Sequence, residues 1–208
     1  MSDAITNDVA AYYSDKLRTH GETPNGVDWN GEAGQVLRFS QLCKVIDPQP
    51  GFDICDIGCG YGAMYDYVAS HYGDFHFVGV DVSADMVTAA TTRYQHTSNT
   101  TFIHADRPPQ PVSYCVASGI FNVRLTHDDS TWWSYLTATL DVMHASSTHG
   151  FAFNCLTSYS DREKMRDYLY YADPLAIFDH CKKHYAKDVA LLHDYGLYEF
   201  TILVRKQR

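Results

Sequence analysis

Apolar residues along this chain change period several times, and each change marks an element. Val9, Tyr12, Tyr13 and Leu17 recur at helical spacing in a first segment that Gly21 ends. A polar link over 22–30 leads to a second helix over about 32–46, stopped before Pro48 and Pro50. From there short apolar runs at 53–57, 77–82, 101–106, 112–120 and 150–156 alternate with helical segments, as a parallel α/β sheet requires. Trp132, Leu136, Leu140 and Met143 mark an amphipathic helix, and Asp173-Pro174 reads as the N-cap and first residue of another, reaching about His184. The runs at 189–192 and 198–204, joined by 193–197, predict a closing pair of strands. Seven strands result.

The first of these runs passes into Gly58-Cys59-Gly60-Tyr61-Gly62, with Asp56 two residues before the first glycine. Bare backbone, a helix predicted to open near Tyr61 and a negative charge then surround one small ligand. Gly58, Gly60 and Ala63 also satisfy the G-x-G-x-x-G/A dinucleotide fingerprint. Asp56 would repel a pyrophosphate, however, and attract a ligand that carries an ammonium group. A second acid, Asp81, ends the next run 19 positions after Gly62, close to the interval expected of a carboxylate that grips a ribose diol. It precedes Ser83, a good helix N-cap, and both roles are compatible. The third run ends in Asp106, before Pro108 and Pro109. Acids thus close three successive strands.

Asp56, Gly58, Gly60 and Gly62 spell D-x-G-x-G-x-G, which resembles the first motif of class I S-adenosylmethionine-dependent methyltransferases. The resemblance covers about residues 51–205, with its strongest motifs between 53 and 106. It implies an α/β fold: a single-domain, seven-stranded, mostly parallel sheet with helices on both faces and a C-terminal antiparallel hairpin. Residues 1–50 would form an N-terminal helical cap and 51–208 the domain that binds S-adenosyl-L-methionine, with an acceptor-lid insert at about 156–185. Asp106 would then face the adenine amino group. The cofactor contacts so implied are Asp56, Gly58, Cys59, Gly60, Asp81, Val82, Asp106, Ser118 and, from the link between the N-terminal helices, Trp29.

In open α/β sheets ligands sit outside the carboxyl ends of the strands, where strand order reverses. Ser118 and Gly119, after the fourth strand, fall nearest the first loop, at the methionine end of the cofactor. Asn122, Arg124, Asn154, His193 and Asp194 fall farther out, as candidates to face an acceptor, each against the alternative of serving loop backbone. A cation at Arg124 suggests an acceptor with a carboxylate or phosphate. Tyr168, Tyr170 and Tyr171 in the insert are candidate walls of a small-molecule pocket. Transfer to a hydroxyl would need a base, for which His193, His127 and Asp194 are the candidates; a neutral amine would need none.

Composition narrows the picture. At 208 residues and 45% apolar content the chain suits one domain. A net charge of −9 without a basic block argues against nucleic acid and anionic membranes as partners. The six cysteines include no C-x-x-C pair and several lie in apolar runs, which fits a reduced, cytoplasmic setting. The N-terminus has no leader pattern, and no run approaches membrane-spanning length. His180, Cys181 and His184 have metal-ligand spacing, but Lys182 and Lys183 between them favour a solvated helix face, so no metal is expected. The expected function is O- or N-methylation of a small, anionic metabolite. A cofactor-binding regulatory protein without acceptor chemistry and, more weakly, a nicotinamide dehydrogenase are the alternatives; pairing into a homodimer stays open.

Overall fold

Consecutive residues of each central strand are apolar and point to opposite sides of one sheet. The strands are β1 (Phe52–Ile57), β2 (Phe75–Asp81), β3 (Thr100–His104), β4 (Val112–Ala117), β5 (Ser147–Leu156), β6 (Asp188–Leu192) and β7 (Glu199–Arg205), in the computed structural model of the chain. Residues 3–29, 31–47 and 50–206 are described; Asn30 and Pro48, which end the predicted link and second helix, lie outside them. The helices are α1 (Asp3–His20), α2 (Glu32–Leu42), α3 (Ala63–His71), α4 (Ala84–Arg93), α5 (Asp129–Ser146) and α6 (Pro174–His184). None of those described is long and apolar enough to cross a membrane.

Alternation builds two apolar layers. Cys55, Cys115, Phe151 and Ile202 meet Leu136, Leu140 and Met143 of α5 and Ile177 and Cys181 of α6. Their strand neighbours Ile54, Val116, Ala152 and Leu203 meet Phe39 and Leu42 of α2 and Met64 and Val68 of α3 on the other face. A sheet covered on both sides explains why these strands read as nearly unbroken apolar runs. The strand order is β3-β2-β1-β4-β5-β7-β6, parallel except for β7, which runs antiparallel between β5 and β6. Order therefore reverses between β1 and β4, and a crevice opens at their carboxyl ends.

Local chemistry sets the element ends. The Ser83 hydroxyl caps α4 by accepting from Met86 N–H, Asp128 caps α5 through Thr131 N–H, and Asp173 caps α6 through Leu175 and Ala176. Several expected boundaries move. The fourth strand stops at Ala117 because Gly119 takes a φ of +78°. The second helix ends at Leu42 and continues as a 3-10 turn, Cys43–Val45. The helix after the glycine loop opens at Ala63, since Gly60 and Gly62, at φ +55° and +83°, keep the loop out of helical geometry.

Two segments close over the crevice. Helix α1 is tied down by a hydrogen bond between the Ser14 and Ser83 hydroxyls at 2.9 Å and by Asp28, which accepts from Tyr12 at 2.6 Å and pairs with Lys16 at 2.7 Å. The segment after β5 folds back along residues 122–125: Tyr170 N–H donates to Asn122 O, and Arg124 and Leu125 N–H both donate to Tyr168 O. Arg124 clamps this junction. Its Nε donates to Leu169 O, Nη1 to His127 O and Asp129, and Nη2 to Asp167 O, all at 3.0–3.2 Å. The expectation that Arg124 faces an acceptor is thereby corrected, because its donors are spent on loop carbonyls.

Replacing Arg124 by Ala leaves partly buried carbonyls without their charged donor, which costs about 1–3 kcal/mol of stability. Denaturant titration should show that loss, and S-adenosylhomocysteine affinity should stay within twofold, about 0.4 kcal/mol, of the parent. Unchanged stability would contradict the clamp.

Candidate active site

The carboxyl ends of β1, β2 and β3 carry the three acids singled out in the sequence, and the structure brings them around one crevice. Asp81 is buried, and its two oxygens accept Gly60 N–H and Ser83 N–H, each at 2.8 Å. Burial raises its pKa, while those backbone donors pull the other way. Asp56 is buried with Oδ1 lacking any hydrogen-bond partner among the described residues. Burial first, and the neighbouring Asp81 second, push its carboxyl up to about 8. Asp106 stands at the rim and is paired side by side with Arg107 at 2.9 and 3.0 Å, which holds it below the usual carboxylate range.

Asp81 and Asp106 line a cavity together with Gly58, Gly60, Val82, Ser118 and Trp29. Its apolar walls are Ile57, Met86 and Ile120 from the sheet side and Val9, Ala10 and Tyr13 from α1. A smaller lobe of about 300 Å³ holds Asp56 and Cys59 and shares Gly58, Gly60, Ser118, Val27 and Trp29 with it. The Ser118 hydroxyl in this lobe is likewise buried without a hydrogen-bond partner among the described residues. Gly58 is confined to glycine by contact as well as by its φ of +74°, since an added Cβ would lie 2.3 Å from Ile120 Cγ2.

Most N–H groups of the glycine loop are already engaged within the protein. Gly58 and Cys59 N–H donate to Val80 O, Gly60 N–H to Asp81 and Gly62 N–H to Cys59 O. Donors already engaged cannot cradle a phosphate. What the crevice presents is carboxyl oxygens and two orphaned oxygen atoms, those of Asp56 Oδ1 and the Ser118 hydroxyl, a set suited to ammonium, hydroxyl and amino groups. The site thus fits an adenosyl sulfonium amino acid better than a dinucleotide.

A second cavity, of about 880 Å³, adjoins the first and shares Tyr13, Val27 and Trp29 with it. Asn122, Gly119, Arg38, Glu199, Lys164, Arg166 and Tyr168 are among its other lining residues. Tyr13 is held as a phenol, its pKa raised by burial and further by Asp28 and Asp81. Lys164 donates to Tyr198 OH at 2.7 Å. Arg166 donates Nη1 to the carbonyls of Glu163 and Met165 and has no carboxylate partner among the described residues.

Several expected contacts lie elsewhere. His193 and Asp194 are exposed beyond edge strand β6, where His193 packs on Tyr159 and Phe200, so the expectation of a base there is corrected. His127 bonds Asp8 at 3.1 Å and stacks on Trp132 outside both cavities, which removes the third candidate base. Tyr171 turns its hydroxyl to Arg166 N–H rather than into a pocket. Asn122 lines the second cavity but spends Oδ1 on Leu156 N–H, and Asn154 is fully buried between Gly119 N–H and Glu199. His180 packs against Trp133 and Tyr185, whereas Cys181 of the same helix is in the core.

Sequence reasoning missed Tyr13, Met86, Ile120, Arg38, Glu199 and Arg166. Helical spacing marked Tyr13 as apolar-face material without showing that the face covers a cavity. Arg38 and Glu199 stand 161 positions apart, and no local pattern joins them.

A methyltransferase domain family matches residues 54–142. Over 163 residues the chain is 55% identical to the Mycobacterium tuberculosis protein named "Putative methyltransferase Rv1506c", covering 78% of this chain and 98% of that one. Among solved structures, a DhpI complex with SAH superposes with a TM-score of 0.68 at 11% identity over 99% of this chain and 98% of its own. The magnesium protoporphyrin IX methyltransferase ChlM from Synechocystis PCC 6803 with bound SAH gives 0.65 at 14% identity over 97% and 99%. The structural likenesses show the shared fold, and the close relative shows descent. With its acid-closed strands and glycine loop, the chain belongs to the class I S-adenosylmethionine-dependent methyltransferases.

Proposed function

We propose that the chain methylates a small acceptor held in the second cavity, drawing on S-adenosylmethionine held in the first. The observation that carries this reading is the shared wall of Tyr13, Val27 and Trp29, which brings the two cavities together at the sheet's reversal point. Had bulky side chains filled that second space, a non-catalytic binding protein would have been favoured; an opening of about 880 Å³ supports an acceptor. The six cysteines are free thiols, which supports a reducing, cytoplasmic setting.

Each acid has a chemically matched task. Asp56 Oδ1 and the Ser118 hydroxyl, both without partners, would receive the cofactor's ammonium group. Asp81 would accept from the ribose diol beside its two backbone donors, and Asp106 would accept from the adenine amino group at the rim. Val82, Met86 and Ile120 provide apolar walls for the flat parts. The bound cofactor supplies a methyl group already activated by a positive sulfur, so positioning is the main task left to the protein.

On the acceptor side Arg166 is a cation without a carboxylate partner among the described residues, which supports an anionic acceptor group; Lys164, in the same lining, is paired with Asp161. The carboxylates lining this cavity are engaged: Asp28 by Tyr12 and Lys16, Glu199 by Arg38 and Asn154. No histidine lines it among the described residues. The nucleophile therefore arrives ready, as a neutral amine or an oxyanion, and O- and N-methylation both satisfy that condition.

Methyl transfer from labelled S-adenosylmethionine to a panel of carboxylates, phosphate esters, amines and alcohols tests the reading. Turnover is expected on a member with an anionic group, and Arg166→Ala should raise its KM about tenfold, near the worth of one charge-assisted bond, with S-adenosylhomocysteine affinity unchanged. An equal loss in both would place Arg166 outside the acceptor site. Asp81→Ala should weaken S-adenosylhomocysteine binding by about 1–3 kcal/mol in calorimetry; an unchanged dissociation constant would remove Asp81 from the site.

The raised Asp56 carboxyl predicts a pH dependence with a definite sign. Below about 8 the empty site holds Asp56 protonated, and an arriving ammonium group favours the ionised form, so binding expels a proton. Affinity should rise with pH through the window below about 8 and then level. Asp56→Asn should flatten that rise and abolish proton release, read by calorimetry in buffers of different ionisation enthalpy. A parent protein with no proton release would contradict the assignment.

A further inference from the structure

Glu199 opens β7 and is 2% exposed, yet its carboxylate is surrounded by donors. Arg38 on α2 donates Nε to both oxygens at 2.9 and 2.8 Å and Nη2 to Oε1 at 2.6 Å, while Asn154 on β5 donates Nδ2 to Oε2 at 2.7 Å. A buried carboxylate must be paired, but a buried ion pair gains little over apolar packing of the same shape. Its value lies in what the pairing holds in place.

Two arms leave this carboxylate, and they meet again. On one, the Arg38 guanidinium lies 3.8 Å from the centroid of the Trp29 ring. On the other, Asn154 Oδ1 accepts Gly119 N–H at 2.8 Å, fixing the turn after β4. The Trp29 ring then closes on Gly119 so tightly that a Cβ there would stand 2.3 Å from Cζ2. Trp29 itself lies outside any helix or strand, and it lines both large cavities and the Asp56 lobe.

We propose that Arg38, Glu199 and Asn154 are positioning residues that hold the Trp29 ring against Gly119 and so set the partition between the cofactor and acceptor cavities. The circuit ties α2, β5, β7 and the turn after β4 to one indole. It rests on the reading of the first cavity as the S-adenosylmethionine site. Arg38 acts through its flat face as well as its charge, so lysine, a point charge on a flexible stem, does not replace it.

A double-mutant cycle read by S-adenosylhomocysteine calorimetry tests this. Arg38→Lys should raise the dissociation constant about tenfold in the parent and less than about twofold in a Trp29→Leu background, because the ring it orients is then gone. Glu199→Gln should follow the same pattern; if that variant does not fold, the Arg38 cycle decides alone. A merely structural role would lower the melting temperature and change affinity by the same factor in both backgrounds. That equality, or no change in either, overturns the proposal while leaving the cofactor reading intact. A parent protein that does not bind S-adenosylhomocysteine overturns both.

Discussion

The carboxylate of Asp81, buried and bonded to the N–H groups of Gly60 and Ser83, is the contact around which the cleft is organised. It turns the glycine loop after β1 toward the end of β2, and Ser83 both caps α4 and meets Ser14 of the covering helix α1. One acid therefore links sheet, loop, helix and lid. Because it consumes a loop N–H that a phosphate would need, it also fixes the sign of the ligand. Gly58, Cys59 and Gly62 have likewise given their N–H groups to protein carbonyls. A cleft built this way recognises positive and hydroxyl-bearing groups through oxygens.

Gathering carboxyl groups at one cleft has a cost, and the structure distributes it unevenly. Asp81 is offset by backbone donors and Asp106 by Arg107, whereas Asp56 has nothing on Oδ1 and keeps its proton up to about 8. The residue left least satisfied marks where a cationic ligand gains most. In the second cavity the balance is reversed: Asp28 and Glu199 are paired, and Arg166 has no carboxylate partner among the described residues. The two cavities thus differ in electrostatic character across one indole ring.

Much of this was legible in the chain. Unbroken apolar runs gave the strands because the sheet is covered on both faces, and the acids and glycines at their ends lie where strand order reverses. Asp173-Pro174 marked α6 to the residue, since capping is local chemistry. Side chains whose role depends on distant partners were not legible. Arg124, read as facing an acceptor, is consumed by carbonyls of a segment more than 40 positions later. His193 and Asp194 follow a strand, as cleft residues do, but β6 is at the far edge because β7 inserts between it and β5. Arg38 and Glu199 carry no motif, and only folding makes them neighbours.

The claim at the centre is that an acid-lined crevice, with most of its glycine-loop N–H groups already engaged, selects an adenosyl amino acid over a dinucleotide. Side-by-side calorimetry of the purified chain with S-adenosylhomocysteine and with NAD measures it directly. The account predicts saturable one-to-one binding of S-adenosylhomocysteine and no heat of binding from NAD. Tight NAD binding without S-adenosylhomocysteine binding would contradict it.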